Sequence, residues 1–250
     1  MPDESARLDA VAAMREAANR GIDAANHGRG DVASVQFERA LELAEEIDDG
    51  RTRRDEISVL STLLERYGFA ELALPAAEEA LATARALELE DRVVGQDLIA
   101  VGNAHNQLEN TARAEALYRQ ALDLFVGIED WANAASASTN LAGVVGNGGD
   151  LPRAATLLET SLTYLERAAF DETEINTRLA LMQVYELIEA DPGAALDNAE
   201  RLCDGFWQRL HAQQKRLVAD FVMRLTRRHP EAAAAPEGLA AWAQKRFPMI

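Results

Sequence analysis

The stretch from Leu98 to Asp123, LIAVGNAHNQLENTARAEALYRQALD, contains the pattern that decides the fold. Gly102 lies in one apolar-periodic segment, and Ala114, Tyr118 and Ala121 follow in a second segment at spacings of four and three. Polar residues separate the segments, which predicts two antiparallel helices joined by a short turn. Each helix has an apolar stripe too wide for one partner, so we expect the pair to stack on copies of itself.

The same pattern recurs with a period close to 40 residues. The small residue that opens the second helix recurs at Ala33, Ala73, Ala114, Ala154 and Ala195. Four and seven residues later come Phe37 and Ala40, Ala77 and Ala80, Tyr118 and Ala121, Leu158 and Ser161, Ala199 and Leu202. Twelve residues before it come Gly21, Ser61, Gly102, Ala142 and Gln183. Gln183 is large for this position, and a one-residue insertion at Asp191-Pro192-Gly193 would move the position to Met182.

These spacings resemble the tetratricopeptide repeat (TPR). Its signature of a small residue in the first helix and Ala–x3–aromatic–x2–Ala in the second is matched in two pairs, listed here: Gly21, Ala33, Phe37 and Ala40; Gly102, Ala114, Tyr118 and Ala121. The resemblance covers roughly residues 10–204. The period is longer than the family's usual value of about 34, and the family's tryptophan position holds Ala17, Ile57, Leu98 and Ser138.

The resemblance implies an all-α, right-handed α-solenoid of five TPR-like helical hairpins with C-terminal capping helices. We expect the hairpins at about residues 5–48, 51–88, 91–127, 130–168 and 171–204. Residues 205–230 are expected to form one capping helix, amphipathic over 206–228, that covers the apolar side of the fifth pair. Residues 231–250 are expected to be a linker and a short terminal helix.

Composition separates an acidic body from a basic C-terminal region. The net charge is −17 and the sequence pI is about 4.6, which disfavours binding to nucleic-acid phosphates. Residues 205–250 hold eight Lys or Arg and three Asp or Glu, which leaves −22 for residues 1–204. The basic region either docks on the acidic body or forms a patch for an acidic partner.

No catalytic or membrane-targeting pattern is present. The sequence lacks HExxH, GxSxG, a Walker lysine and paired CxxC, so we expect no enzyme, no metal and no cofactor. Its N-terminus lacks an apolar core, and no stretch approaches about 20 apolar residues, so neither a secretory signal nor membrane attachment is expected. The single cysteine, Cys203, fits a reducing cytoplasm and is expected to be buried.

The first helices of the pairs are expected to line the concave side of the solenoid. The TPR resemblance places the inward positions six and three residues before the small residue and one, four and five after it. These positions are rich in amide and hydroxyl groups, which both donate to and accept from a peptide backbone. The predicted partner-binding residues are Gln96, Asn103, Asn106, Gln107, Ser136, Thr139, Asn176 and Gln183. The alternative is that these side chains only face water.

The main functional hypothesis is a non-catalytic scaffold that binds a peptide or helix of a protein partner in its concave groove. One alternative is a regulatory receptor domain that senses a peptide in bacterial signalling, and another is an accessory subunit of an enzyme complex. The family's carboxylate-clamp variety does not fit, because Arg66 is the only cation at the inward positions of pairs two to five. Trp242 and Phe247 could also join two copies into a homodimer.

Overall fold

The computed structural model describes residues 4–168, 171–188 and 192–229, and every regular element in these ranges is a helix. A first compact unit ends at Asn133, and a second begins at Ala134. The first contains six helices: α1 (Glu4–Asn26), α2 (Gly30–Ala44), α3 (Gly50–Arg66), α4 (Ala70–Ala86), α5 (Asp91–Gln107) and α6 (Thr111–Gly127). The second contains most of α7 (Trp131–Asn147) and all of α8 (Leu151–Ala168), α9 (Asp171–Leu187), α10 (Pro192–Phe206) and α11 (Ala212–Arg228).

The core of each helix pair is built from the repeated positions. All fifteen second-helix positions of the pattern are at most 2% exposed, from Ala33 in α2 to Leu202 in α10. The small-residue position is buried in every pair, and Met182 occupies it in the fifth at 0% exposure while Gln183 is exposed. This burial confirms the predicted repeat and the one-residue shift in its last copy. Cys203 is buried, as expected.

Glycines allow the first unit's helices to approach aromatic rings closely. A Cβ built on Gly21 would lie 2.6 Å from the ring of Phe37, and one on Gly102 would lie 2.7 Å from the ring of Tyr118. Gly95 makes a third such contact, at 2.7 Å from Phe125. Gly21 and Gly102 hold the small-residue position of the repeat and face its aromatic position, whereas Gly95 lies outside the repeated positions.

The predicted capping helix differs from the structure. Instead of one helix over 206–228, α10 continues to Phe206, a 3-10 turn covers Trp207–Arg209, and α11 begins at Ala212. The chain is extended at Leu210 and His211, and the Gln214 side chain accepts a hydrogen bond from the His211 backbone N–H at 2.9 Å. This capping interaction begins a new helix where the apolar periodicity of the sequence continues without a break.

The remaining predictions for the C-terminus concern residues outside the described ranges. These are the short terminal helix and the homodimer contact through Trp242 and Phe247, which stay predictions.

Candidate binding faces

Two surfaces carry the predicted site residues, one in each unit. We define the α3/α5 face by the inward positions Asp55, Ser58, Thr62, Glu65, Arg66, Gln96, Ile99, Asn103, Asn106 and Gln107. We define the α7/α9 face by Ser136, Thr139, Gly143, Gly146, Asn147, Asn176, Leu179, Gln183, Glu186 and Leu187.

A buried ion pair joins α3 to α5 at one end of the α3/α5 face. The guanidinium of Arg54 donates to both carboxylate oxygens of Asp97, with Nε 3.0 Å from Oδ2. Arg54 is 8% and Asp97 1% exposed, and Ser58 donates a third hydrogen bond to Asp97 at 3.1 Å. Because a buried charge without its partner is strongly destabilising, this contact fixes the register of α3 against α5.

The charge on Arg54 is maintained despite its burial. Burial alone would lower the pKa of Arg54, but hydrogen bonds to Asp97 and Asp55 outweigh that effect and raise it above the ordinary value. Asp55 accepts from Nη1 of Arg54 at 2.8 Å. One guanidinium therefore satisfies two carboxylates, and Asp55 is not an independent anion on this face.

An amide held from two sides lies at the other end of the α3/α5 face. Asn103 donates from Nδ2 to Oε2 of Glu65 at 3.0 Å, and its Oδ1 accepts from the Tyr118 hydroxyl at 2.6 Å. Both partners determine which way the amide is oriented. A side-chain amide has two N–H donors and two acceptor lone pairs, and here one donor and the acceptor oxygen are both engaged by groups of neighbouring helices.

Burial changes the acid–base properties of both partners of Asn103. It raises the pKa of Glu65, although the hydrogen bond from Asn103 and the charge of Arg66 act in the opposite direction. Burial also raises the pKa of the Tyr118 hydroxyl, with a further contribution from the charge of Glu65. The hydroxyl therefore stays protonated at neutral pH and remains a donor to Asn103.

The other predicted residues of this face differ in how they are engaged. Gln107 donates to the backbone carbonyl of Glu65 at 3.1 Å, which adds a second bridge from α5 to α3. Gln96 and Asn106 are exposed, and neither side chain makes a hydrogen bond to a described residue. The structure therefore places four predicted amides on one helix, two of them tied to α3 and two open to solvent.

Hydroxyl groups, not charged groups, make the contact between α7 and α9. The Thr139 hydroxyl lies 2.9 Å from that of Ser161 on α8 and 3.1 Å from that of Thr177 on α9. Ser161 also donates to the backbone carbonyl of Ala135 at 2.9 Å. Ser136 is half-buried, while Asn176 and Gln183 are exposed. The predicted contact residue Thr139 is thus part of the packing between three helices, and the exposed amides are the accessible groups.

A second buried arginine lies behind this face. Arg178, 5% exposed, donates to Glu174 at 2.7 Å and to Oδ1 of Asn198 at 3.2 Å, and Asn198 donates back to the Arg178 carbonyl at 2.9 Å. Sequence reasoning missed Arg54, Asp97, Arg178 and Asn198. A charged residue at a core-facing helical position was the available signal. Asp97 is 43 residues from Arg54 and Asn198 is 20 residues from Arg178, so neither partner can be identified from spacing alone.

Among the described residues, no three His, Cys, Asp or Glu side chains are grouped so that they could hold a metal ion. In the same ranges no helix combines the length and the apolarity that crossing a membrane would require.

Comparison with known proteins identifies the fold. No protein-family model matches the sequence, and no curated protein matches it either. A solved Rap protein complexed with Competence and Sporulation Factor aligns with a TM-score of 0.60 at 16% identity, covering 93% of this chain and 62% of that one. Aspartyl phosphate phosphatase F from Bacillus subtilis aligns with a TM-score of 0.66 at 12% identity, covering 97% and 67%.

The nearly identical TPR-like repeats of a kinesin light chain from Podosopora anserina align with a TM-score of 0.56 at 14% identity, covering 86% of this chain and 97% of that one. The chain therefore has a TPR-like, all-α repeat fold, as predicted. It spans 62% of the length of the Rap protein and 67% of the length of the phosphatase described above.

Proposed function

We propose that this chain is a non-catalytic, peptide-binding module of the TPR type and that the α3/α5 face holds an extended segment of its partner. The observation that carries the proposal is the fixed orientation of Asn103, which Glu65 and Tyr118 hold from opposite ends of the amide. A pre-oriented amide loses little conformational freedom when it binds a peptide backbone, so the entropic cost of ordering it on binding is low.

Asn106 and Gln96 support the proposal from the same helix. Both are exposed amides, and Asn106 lies three residues from Asn103, so the two project from neighbouring turns of α5. An extended peptide exposes backbone N–H and C=O groups at regular intervals, and paired amides can bind them irrespective of the peptide's side chains. The Rap protein solved with Competence and Sporulation Factor is a structural neighbour that has a bound partner of its own.

The test is a binding assay with a defined probe. A library of fluorescein-labelled hexapeptides is screened against the full chain, and the affinity of the tightest binder is measured by fluorescence anisotropy. The Asn103→Ala/Asn106→Ala variant should weaken that affinity by about tenfold, because each lost hydrogen bond contributes roughly 0.5–1.5 kcal/mol. Gln120→Ala, an exposed amide on α6, is the matched control and should bind like the unchanged chain.

Tyr118→Phe tests the positioning of the amide separately. This variant removes only the hydroxyl that orients Asn103 and leaves every exposed group of the face in place. We expect affinity to fall several-fold while the thermal midpoint changes little. Equal affinity in the double-alanine variant, Gln120→Ala and the unchanged chain would exclude the α3/α5 face as the binding site.

A second candidate function, a peptide-responsive regulator of bacterial signalling, is supported by the same Rap neighbours. A receptor differs from a passive scaffold by a change of shape on binding. If the chain is a receptor, saturating it with the selected peptide should change its radius of gyration in solution scattering. An unchanged radius with tight binding would favour the scaffold, including a scaffold within an enzyme complex.

The absence of catalysis is also a proposal, since one structural neighbour is an aspartyl phosphate phosphatase. Acetyl phosphate contains the same acyl phosphate group and is a simple probe. We expect the purified chain to leave its hydrolysis rate unchanged, and acceleration that is proportional to protein concentration would overturn the proposal. We also place the protein in the cytoplasm, since a chain with a single cysteine cannot form an intrachain disulfide.

A further inference from the structure

A cavity of about 330 Å³ lies within the second unit, where α9, α10 and α11 meet. One part of its wall is apolar and is formed by Tyr185, Ala195, Phe221 and Leu225, of which Ala195 and Phe221 are at most 3% exposed. The remainder of the wall is mainly charged. A cavity with an apolar wall and a few fixed polar groups is the usual form of a small-ligand pocket, and this volume lies at the lower end of the usual range.

Arg224 on α11 is held rigidly at the charged side of this cavity. Its Nε donates to Oε1 of Glu186 at 2.6 Å and its Nη2 donates to Oε2 at 3.0 Å, so the two groups meet as a fork. A guanidinium has five N–H donors, and this fork uses two of them. Three donors therefore remain on a side chain whose plane is already fixed by Glu186.

Arg228 adds a second guanidinium one helical turn further along α11, on the same side of the helix. It is exposed and makes no ion pair with any described residue. Two arginines face one glutamate around this cavity, so the wall retains positive charge after the Arg224–Glu186 pair has formed. A carboxylate that enters the cavity would meet guanidinium N–H donors that the Arg224–Glu186 pair leaves unused.

We infer that this cavity takes the free C-terminal carboxylate of a peptide whose last residue is apolar, an inference that rests on the proposed peptide-binding function. A C-terminal residue carries a carboxylate and a side chain on the same Cα, which matches guanidinium groups and an apolar wall within one small cavity. An Asp or Glu side chain supplies the carboxylate without the adjoining apolar group.

Charge complementarity supports an anionic occupant at this place in the chain. Residues 1–204 carry a net charge of −22, which repels carboxylates from most of the molecule. Helix α11 carries five Lys or Arg and one Asp, so its net charge of +4 is the most positive among the described helices. A short-range site built from two arginines overcomes the repulsion locally, and its contribution decreases as salt screens the charges.

The experiment uses two hexapeptide libraries that differ only at the C-terminus, one with a free carboxylate and one with a carboxamide. The full chain is screened against both, and the tightest free-acid binder is resynthesised as its amide. We expect the amide to bind at least about tenfold more weakly, which corresponds to 1.4 kcal/mol. Its last residue should be apolar, and replacing that residue with Gly should also weaken binding.

Arg228→Gln and Arg227→Gln provide a matched pair of variants. Both remove one exposed arginine from the same end of α11, and only Arg228 lines the cavity. Arg228→Gln should weaken the free-acid peptide by about tenfold and leave the amide unaffected, whereas Arg227→Gln should leave both unchanged. Because Arg228 makes no ion pair with any residue in the described ranges, folding should be preserved, and far-UV circular dichroism checks this.

The outcomes separate this inference from the proposed function. Peptides that bind equally well as acid and amide would overturn the carboxylate site and leave peptide binding intact. Selection of internal Asp or Glu with an indifferent C-terminus would assign the cavity to side-chain carboxylates and would also overturn the inference. Binding to neither library would overturn both proposals.

Discussion

Glu65 in α3 and Glu186 in α9 occupy the same position of the repeat, four residues after the small residue of the first helix, yet their environments differ. Each accepts a hydrogen bond from the residue 38 positions later. That residue lies in α5 for Glu65 and in α11 for Glu186. For Glu65 that residue is Asn103, a neutral amide. For Glu186 it is Arg224, a cation.

The difference changes the sign of the pKa shift. Burial raises the pKa of Glu65, since one amide does not compensate for lost hydration. The hydrogen bonds from Arg224 lower the pKa of Glu186, with further lowering by the charges of Arg224 and Arg228. Thr139 and Thr177 make a third contact with the same spacing of 38. The repeat thus conserves the geometry of contacts between first helices, while the chemistry of each contact is set by individual residues.

The largest expected effect is the loss of the buried ion pair in the first unit. Asp97→Ala leaves the guanidinium of Arg54 buried without its main partner, so we expect the free energy of unfolding to fall by about 3–5 kcal/mol. The hydroxyl contact in the second unit is the point of comparison, and Thr139→Val should cost only about 1 kcal/mol. Urea unfolding followed by circular dichroism measures both.

The double variant Arg54→Met/Asp97→Leu is the control for this prediction. It removes both charges and restores apolar volume, so it should recover most of the stability that Asp97→Ala loses. A cost below about 1 kcal/mol for Asp97→Ala would mean that charged and hydroxyl contacts between first helices are equivalent.

The second-largest expected effect on stability comes from replacing two glycines with alanine, one in a crowded position and one in an open position. In Gly102→Ala the new Cβ would lie 2.7 Å from Cε1 and 2.9 Å from Cδ1 of Tyr118, so we expect a loss of about 1–3 kcal/mol. Gly143 on α7 has no atom within 4 Å of such a Cβ, and Gly143→Ala should stabilise the helix by about 0.5–1 kcal/mol.

Thermal unfolding of the two glycine variants under identical conditions measures this contrast. A gain in both variants would show that the ring of Tyr118 moves aside without cost. The close approach in the first unit would then not constrain the residue at position 102.

The smallest effects are the pH dependences of the two glutamates, which should be opposite in direction. A raised pKa makes ionised Glu65 unfavourable for folding, so Glu65→Gln should stabilise the protein at pH 7.5, and this gain should shrink as pH falls towards 4.5. A lowered pKa makes ionised Glu186 favourable, so Glu186→Gln should cost stability at pH 7.5 and at pH 5. That cost should disappear only below pH 4.5.

Urea midpoints at pH 7.5, 5.0 and 3.5 distinguish the two cases. Both changes are expected to stay below about 1 kcal/mol, because the groups are partly exposed and solvent screens them. Parallel pH profiles for the two variants would contradict the assigned difference between Asn103 and Arg224 as partners.

The repeated apolar positions could be predicted almost completely from the sequence. Ala33, Phe37 and Ala40 and their counterparts are buried in every pair, and the shift to Met182 was apparent from one extra residue in a turn. Burial follows helical periodicity directly, because side chains three and four residues apart share one face of a helix. The boundary between α10 and α11 could not be predicted, since a capping hydrogen bond decides it and the apolar pattern continues across it.

The predicted site residues differ in their surroundings. Gln96, Asn106, Asn176 and Gln183 are exposed, but Asn103, Gln107 and Thr139 are engaged by groups from other helices. The proposed function uses the engagement of Asn103, because Tyr118 and Glu65 orient its amide. The alternative that these residues merely face water therefore does not describe Asn103 or Thr139.

The sequence by itself determined the all-α repeat, its period and the identity of its core, because these depend on spacing within single helices. Only the tertiary structure decided which polar groups are paired across helices, such as Arg54 with Asp97 and Glu186 with Arg224. Those pairings join residues about 40 positions apart, where small differences in helix rotation change which side chains meet. Electrostatic and hydrogen-bond energies depend steeply on that distance and on burial, so they are defined only once the helices have packed.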